Sequence, residues 1–366
     1  MPKGFAFDAV PERPQIVPHR IVEGEPDLGP LRAFQGTFVG KGFNTIFRPQ
    51  NKATPTELPV PQPDSDNILE LNLTAETLSF SQSLGAVPNR GEVQGDIALN
   101  GVSYLQTIND VTDPTVSTSI HFEPGLWMIA PPTTHPQETE STLFRLGSIP
   151  HGTTINAQGT FLTVSSGPKI DPIDITPFKI GDNTARIRFP SQTATDTKTA
   201  RIPQDLSTVP SITQELLDDP TALLRSQISG LNIVSTDVIL IDTQSKKIPG
   251  GGTDNINFLI GDDQGPNASA IEMSATFWIE TVQAVIEVGP AEANVAQSVT
   301  ADVPAGAPAP VFSVTSAKTI DKSQSITVTY TQIQYSQLVL LNFAKLSWPH
   351  VSVATLVPST PIPVQL

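Results

Sequence analysis

Short stretches of alternating apolar and polar residues, separated by turn-forming residues, recur along most of this 366-residue chain. In the segment 67–80, Leu69, Leu71 and Leu73 alternate with polar residues, and Leu78 and Phe80 alternate with polar residues in a similar way. A period of two is typical of a strand with one buried face. Similar stretches predict further strands at 93–99, 102–108, 120–130, 142–149, 153–164, 234–242, 255–261, 270–288, 326–330, 333–343 and 351–357.

These strands predict an all-β fold, which we interpret as an antiparallel β-barrel with extra strands and one short helix. The helix is expected after Pro220, which suits a first helical turn, and before Gly230, which suits a helix end. Phe38 among closely spaced glycines indicates a first strand bent enough to start a barrel. A closed barrel joins its first and last strands, so the segments 35–47 and 350–358 are expected to be neighbours.

The same pattern suggests one domain. We expect an irregular leader at 1–30, where proline is frequent, and a single barrel domain at 31–358. An elaborated insertion is expected at about 165–320, and a short C-terminal tail at 359–366.

Charge and composition exclude several classes of function. The chain has 36 acidic and 21 basic residues, and its net charge of −15 repels nucleic acid. It has no cysteine, so disulfides and thiolate metal sites are excluded. The sequence contains neither a secretory signal nor an apolar run long enough to span a membrane. We therefore expect a cytoplasmic protein, although a mature secreted form would look the same, and the oligomeric state is left open.

The histidines are the main candidates for chemistry, because common enzyme motifs are absent. His121 and Glu123 are two residues apart, so a regular strand places both on one face, where they could transfer protons. His151 lies in a Gly/Pro-containing segment and is a third catalytic candidate. The alternative is structural: the histidines cap turns, or His121 and Glu123 form a satisfied polar pair. His19 and His135 are interpreted as solvated.

His350 is the candidate ligand for a metal or heme. Pro349 removes a backbone donor, so the histidine enters the last strand at an irregular point that can turn its imidazole into a barrel cavity. Neutral imidazole is the usual proximal ligand of heme iron. The alternative is a strand-end histidine bonded to a backbone carbonyl.

Three segments resemble the nitrobindin family of heme-binding barrels: LGPLRAFQGTFVGKGFN at 28–44, IHFEPGLWMIAP at 120–131 and LSWPHVSVATLVP at 346–358. The family opens with Leu-Gly-Pro-Leu and a G-x-W-x-G-x-G-x-G motif. Here Phe38 stands at the Trp position and Asn44 at the last Gly. The resemblance covers about 28–49, 118–160 and 326–358, in the order found in the family.

The resemblance implies a barrel that holds heme b, with His350 bound to the iron and Thr37, Phe38, Gly40 and Gly42 in the heme-binding first strand. It also implies binding of nitric oxide or isomerisation of peroxynitrite, hence a heme-dependent isomerase or peroxidase-like activity if the protein is an enzyme. Two alternatives remain open. One is a heme-free carrier of a small apolar ligand, and the other is a non-heme enzyme that uses the same cavity.

Overall fold

The computed structural model describes residues 27–62, 65–244 and 251–366. It confirms the all-β prediction: strands form a closed, ten-stranded antiparallel barrel, and helix accounts for only 8%. The barrel strands are β1 (Gly36–Pro49), β2 (Asn67–Ser83), β3 (Ile97–Asp110), β4 (Thr118–Ala130), β5 (Thr142–Ser148), β6 (Thr153–Val164), β7 (Asn232–Asp242), β8 (Ser269–Val288), β9 (Gln324–Phe343) and β10 (Leu346–Pro358).

Each barrel strand pairs with the strand before it along the chain, so the topology is a simple up-and-down meander. β10 returns to pair with β1 in an antiparallel register that runs from Phe38 opposite Pro358 to Thr45 opposite Val351. The predicted contact between the first and last strands is therefore confirmed. Closure leaves the main barrel ladder without a free edge.

Glycines in β1 allow this closure to be tight. A Cβ atom placed on Gly40 would lie 1.9 Å from the carbonyl oxygen of Thr355 in β10, and one on Gly42 would lie 2.2 Å from that of Val353. Real side chains do not tolerate such distances, so glycine is required where the two strands approach each other.

Aromatic side chains fill much of the barrel interior. Phe34 follows the 3₁₀ helix Gly29–Ala33 and inserts into the barrel, where its ring stacks on Phe80 at 4.4 Å between centroids. It also meets the edge of Trp127, which in turn contacts Phe277. Residues just before β1 thus take part in the core. The predicted leader otherwise lies mostly outside the described residues.

The connection between β6 and β7, residues 165–231, covers part of the outer face of the barrel. Its apolar residues include Ile175, Leu216 and Leu217, which pack with Leu69 and Leu71 of β2 in one buried cluster. The alternating leucines of β2 are therefore buried on the outer face of the barrel. The opposite face of that strand points polar side chains into the barrel.

The short helices are α1 (Gln214–Asp218), α2 (Ala222–Ile228) and α3 (Asn257–Ile260), with 3₁₀ turns at Pro190–Gln192 and Leu206–Thr208. α2 is the predicted helix, and Gly230, with φ of +85°, follows its end. The expected strand at 255–261 is wrong except at its first residue, because the strand Gly252–Asn255 ends there and Asn257–Ile260 form α3. Gly261, with φ of +81°, ends this helical turn.

The range 165–320 contains two barrel strands, β7 and β8, so the added residues form three separate connections at 165–231, 243–268 and 289–323. The segment 359–366 contains the strand Ile362–Gln365, which pairs in parallel with Val311–Thr315. The strand Val311–Thr315 also pairs with Gln297–Thr300, on its other side. The remaining short strands are Val87–Asn89, Thr133–Thr134, Gln137–Glu138, Phe178–Lys179, Asp182–Arg186 and Arg201–Ile202.

None of the helices in the described part of the chain is long and apolar enough to cross a membrane.

Barrel closure predicts a specific sensitivity at Gly40. Replacement of Gly40 by Ala forces β1 away from the Thr355 carbonyl, and should lower the free energy of unfolding by about 1–3 kcal/mol, the usual range for overpacking. Urea denaturation measures the change. Gly95→Ala is the control, because a Cβ there meets nothing within 4 Å. Equal stability of the two variants would contradict the tight β1–β10 contact.

Candidate functional site: a histidine-lined cavity

The barrel contains a cavity of about 190 Å³ that reaches the surface on one side. Three histidines, His121, His151 and His350, border it. Much of the remaining wall is apolar and includes Ile108 and Val339. The connection between β7 and β8 contributes Leu259, so this connection closes part of the cavity. The three histidines come from β4, the β5–β6 turn and β10, and only the folded barrel brings them together.

A buried ion pair supports one side of this cavity. Glu123 and Arg145 are 0% and 1% exposed, and the guanidinium Nη2 lies 2.6 Å from Glu123 Oε1. Arg145 also donates to Tyr104 Oη at 2.8 Å and to Gln337 Oε1 at 2.8 Å. Tyr104 donates its hydroxyl hydrogen to Glu123. Such a network satisfies buried charges that would otherwise be costly.

The ion pair keeps Glu123 ionised. Burial alone would raise the pKa of this carboxyl, but the charge of Arg145 and the interactions with His121 and Tyr104 outweigh it and lower the pKa to about 2. The carboxylate therefore stays negative through the physiological pH range and can hold a neighbouring imidazole.

His121 is that imidazole. Its Nε2 lies 3.1 Å from Glu123 Oε2, which confirms the expectation that both side chains share one face of a strand. A carboxylate accepts hydrogen bonds only, so Nε2 carries a proton, and Nδ1 has no hydrogen-bond partner among the described residues. The ring of His151 meets that of His121 edge to face, at 5.7 Å between centroids. His151 is exposed and lies at the mouth of the cavity.

His350 has a different environment. Asn44 Nδ2 lies 2.9 Å from His350 Nε2 and 2.8 Å from Ser352 Oγ, while Asn72 Nδ2 donates to Asn44 Oδ1. In this arrangement Asn44 donates to Nε2, so the proton of the neutral ring resides on Nδ1. Burial lowers the pKa of His350 to about 3, and the proximity of His121 and His151, whose rings repel a second positive charge when they are protonated, adds to this effect. The cavity thus contains an imidazole that stays neutral.

A second buried carboxyl lies deeper in the barrel. Glu76 accepts hydrogen bonds from Tyr335 at 2.6 Å and from Thr74 at 2.8 Å, and Gln106 donates to Tyr335. Burial raises the pKa of Glu76, although these hydrogen bonds oppose the change. Tyr335 and Gln106 border the cavity, so this group forms its polar floor.

The structure brings together His121, Glu123 and His151, the three candidates for acid–base chemistry, and places His350 at the same cavity.

Most of the residues expected to bind heme lie elsewhere. Gly40 and Gly42 contact the backbone of β10, and Phe38 lies in the interior core. Thr37 faces away from Phe38 and its hydroxyl pairs with Ser79. Of the residues expected to bind heme, His350 alone borders the cavity. His135 is exposed, as expected, and His19 lies outside the described residues.

Sequence reasoning missed Arg145, Tyr104 and Asn44. A signal existed for Arg145, because it is a charge within the apolar run Thr142–Ser148. Asn44 stands out in the sequence only as a departure from the glycine motif, and no pattern distinguishes Tyr104 from other strand residues, since the importance of both comes from cross-strand contacts.

No protein-family model, curated protein or solved structure matches this chain. Among the described residues, no group of three or more His, Cys, Asp or Glu side chains could together hold a metal ion. The site is therefore defined by its geometry: an up-and-down barrel with a small cavity bordered by histidines.

The buried ion pair predicts a large effect of Arg145→Met. Loss of the guanidinium leaves Glu123 buried without its counter-charge, which should cost about 3–5 kcal/mol of unfolding free energy at pH 7. Chemical denaturation measures this change. Arg90→Met is the matched control, because the Arg90–Asp96 pair is 79% and 53% exposed and should contribute little. A loss below 1 kcal/mol in Arg145→Met would contradict the network.

His350 predicts a pH dependence of stability. Below pH 6.5 the imidazole of His350 is protonated in the unfolded chain, whereas in the folded chain it stays neutral until about pH 3. The stability that depends on the neutral ring is therefore fully present above pH 6.5 and is lost as the pH falls below it. Between pH 7 and 5 the wild type should lose up to about 2 kcal/mol more than His350→Gln. Urea midpoints at both pH values measure this, with His135→Gln as control. Parallel losses in wild type and His350→Gln would show that His350 titrates normally.

Proposed function

We propose that this barrel binds a small, mainly apolar molecule that carries one hydrogen-bonding group. The observation that supports the proposal is the convergence of three histidines on one largely apolar cavity. In the described part of the chain, Nδ1 of His121 and Nδ1 of His350 have no hydrogen-bond partner. A ligand with a single polar group can pair with them while its apolar part contacts Ile108 and Val339.

The size of the cavity restricts the ligand. A volume of about 190 Å³ exceeds the roughly 150 Å³ cavity that binds benzene in an engineered protein, and is below the roughly 300 Å³ at which pockets for drug-sized ligands begin. The ligand class is therefore a compound of about one ring. A long-chain fatty acid would exceed this volume.

Heme does not fit this cavity. The porphyrin is larger than a drug-sized ligand, and the aromatic core around Phe34 and Phe277 occupies the neighbouring interior. His350 faces the cavity, which supports the heme hypothesis drawn from the nitrobindin resemblance, but its Nε2 is paired with Asn44. We therefore favour the small-ligand alternative.

Cyclohexanol is a suitable probe, because it has one ring and one hydroxyl group. Addition of cyclohexanol should shift the methyl NMR signals of Ile108, Val339 and Leu259 in a saturable manner. Ala270→Leu adds volume to the cavity wall and should weaken binding about tenfold or more, equivalent to about 1.4 kcal/mol. Ala53→Leu, at an exposed loop position, should bind like the wild type. Unsaturable shifts, or equal binding by both variants, would contradict the proposal.

Hemin titration separates the two hypotheses. Small-ligand binding predicts no saturable one-to-one Soret band. A saturable band in the wild type that His350→Gln abolishes, with the fold retained by circular dichroism, would establish heme binding instead.

A further inference from the structure

We propose that the cavity catalyses proton transfer at the carbon next to the carbonyl group of a small ketone or aldehyde, with His121 as the base and His350 as the hydrogen-bond donor to the carbonyl oxygen. This inference rests on the proposed binding of a small ligand and specifies its chemical class. It comes from an asymmetry between two imidazoles that border the same cavity.

His121 is arranged as a base. Its Nε2 hydrogen is held by Glu123 Oε2, so Nδ1 is the nitrogen that can accept a proton. When Nδ1 takes a proton, the ring becomes a cation next to a carboxylate that Arg145 keeps ionised. The carboxylate therefore fixes the orientation of the ring and stabilises its charged form. Glu123 does not touch the ligand and is a positioning residue.

His350 is arranged as a donor. Asn44 occupies its Nε2, so Nδ1 carries the hydrogen and has no partner among the described residues. A neutral imidazole is suited to donate to an oxygen on which negative charge develops, because it keeps its proton when the bond strengthens. His350 is half-buried in the cavity wall, where the apolar surroundings screen a hydrogen bond less than water does.

The step balances without a co-reactant. Nδ1 of His121 takes the proton from the carbon next to the carbonyl, and the electron pair of that C–H bond forms a carbon–carbon double bond. The carbonyl π pair moves to oxygen, and the resulting enolate oxygen accepts a hydrogen bond from Nδ1–H of His350, which keeps its proton. Return of the proton from His121 to the same or another carbon regenerates the ketone or its isomer and the neutral imidazole.

Deuterium incorporation tests this step directly. Cyclohexanone, which has one ring and one carbonyl, is incubated with the full chain in D₂O, and loss of its C2 and C6 proton signals is followed by NMR. The wild type should exceed the buffer rate. His121→Gln should reduce the protein-dependent rate about 10²–10⁴-fold, the usual contribution of a general base. His350→Gln should reduce it about 10²–10³-fold, as expected for loss of an oxyanion donor.

His135→Gln is the matched control, since this exposed histidine lies in a turn outside the cavity and should leave the rate unchanged. Glu123→Gln should lower the rate while cyclohexanone still shifts the methyl signals of Val339, a separation that general loss of structure would not produce. Circular dichroism verifies that each variant is folded.

Binding and catalysis fail in different ways. If cyclohexanone leaves the cavity methyl signals unchanged, the proposed binding function is wrong, and the inference is wrong with it. If it binds saturably but exchanges no faster than in buffer, binding stands and the inference is overturned. Exchange that survives in folded His121→Gln and His350→Gln would also overturn it, because other groups would then be responsible.

Discussion

The ion pair between Arg145 and Glu123 is the interaction on which the candidate site depends. Two opposite charges lie in the interior of a barrel, almost without solvent, and each would be very unfavourable alone. Their attraction, the hydrogen bond that Tyr104 donates to Glu123 and the one that it accepts from Arg145 make the arrangement tolerable. The consequence reaches His121, because a permanently ionised Glu123 determines which nitrogen of that imidazole carries hydrogen.

The barrel interior contains buried charges and amides beside its aromatic cluster, and the long connections bury further apolar surface outside the barrel. Residues 165–231 cover the outer face of β2 and β10, where Leu69 and Val353 are fully buried. A second outer cluster surrounds Phe312 and contains residues from the connection between β8 and β9. Apolar contacts outside the barrel thus add to the stability that the aromatic cluster provides inside it. The extra length of the chain therefore supports the fold and leaves the interior available for the cavity.

Much of the fold could be predicted from sequence because it depends on local signals. The alternation at Leu69–Leu73, the turn glycines and the helix before Gly230 are all readable within a few residues. The sequence could not predict which of the two faces of a strand points into the barrel and which points outward. Alternation in β2 indicates one buried face, but only the covering connection shows that the leucines point outward and Asn72 points inward.

The candidate site was predictable only in part, for a similar reason. The spacing of His121 and Glu123 follows from the geometry of a strand. The roles of Arg145 and Asn44 follow from contacts between strands that are far apart in sequence, such as the 306-residue separation of Asn44 and His350. The irregular entry into the last strand after Pro349 predicted that His350 could face a cavity, whereas the size of the cavity depends on how the interior aromatic residues pack.

The tautomer of His350 is the most direct measurement of the proposed site. Long-range ¹H–¹⁵N NMR distinguishes a protonated from an unprotonated ring nitrogen for each histidine. The arrangement around Asn44 predicts a hydrogen on Nδ1, none on Nε2, and no titration of His350 between pH 8 and 5. A hydrogen on Nε2, or a titration near pH 6.5, would contradict the role of His350 as a neutral donor to the ligand.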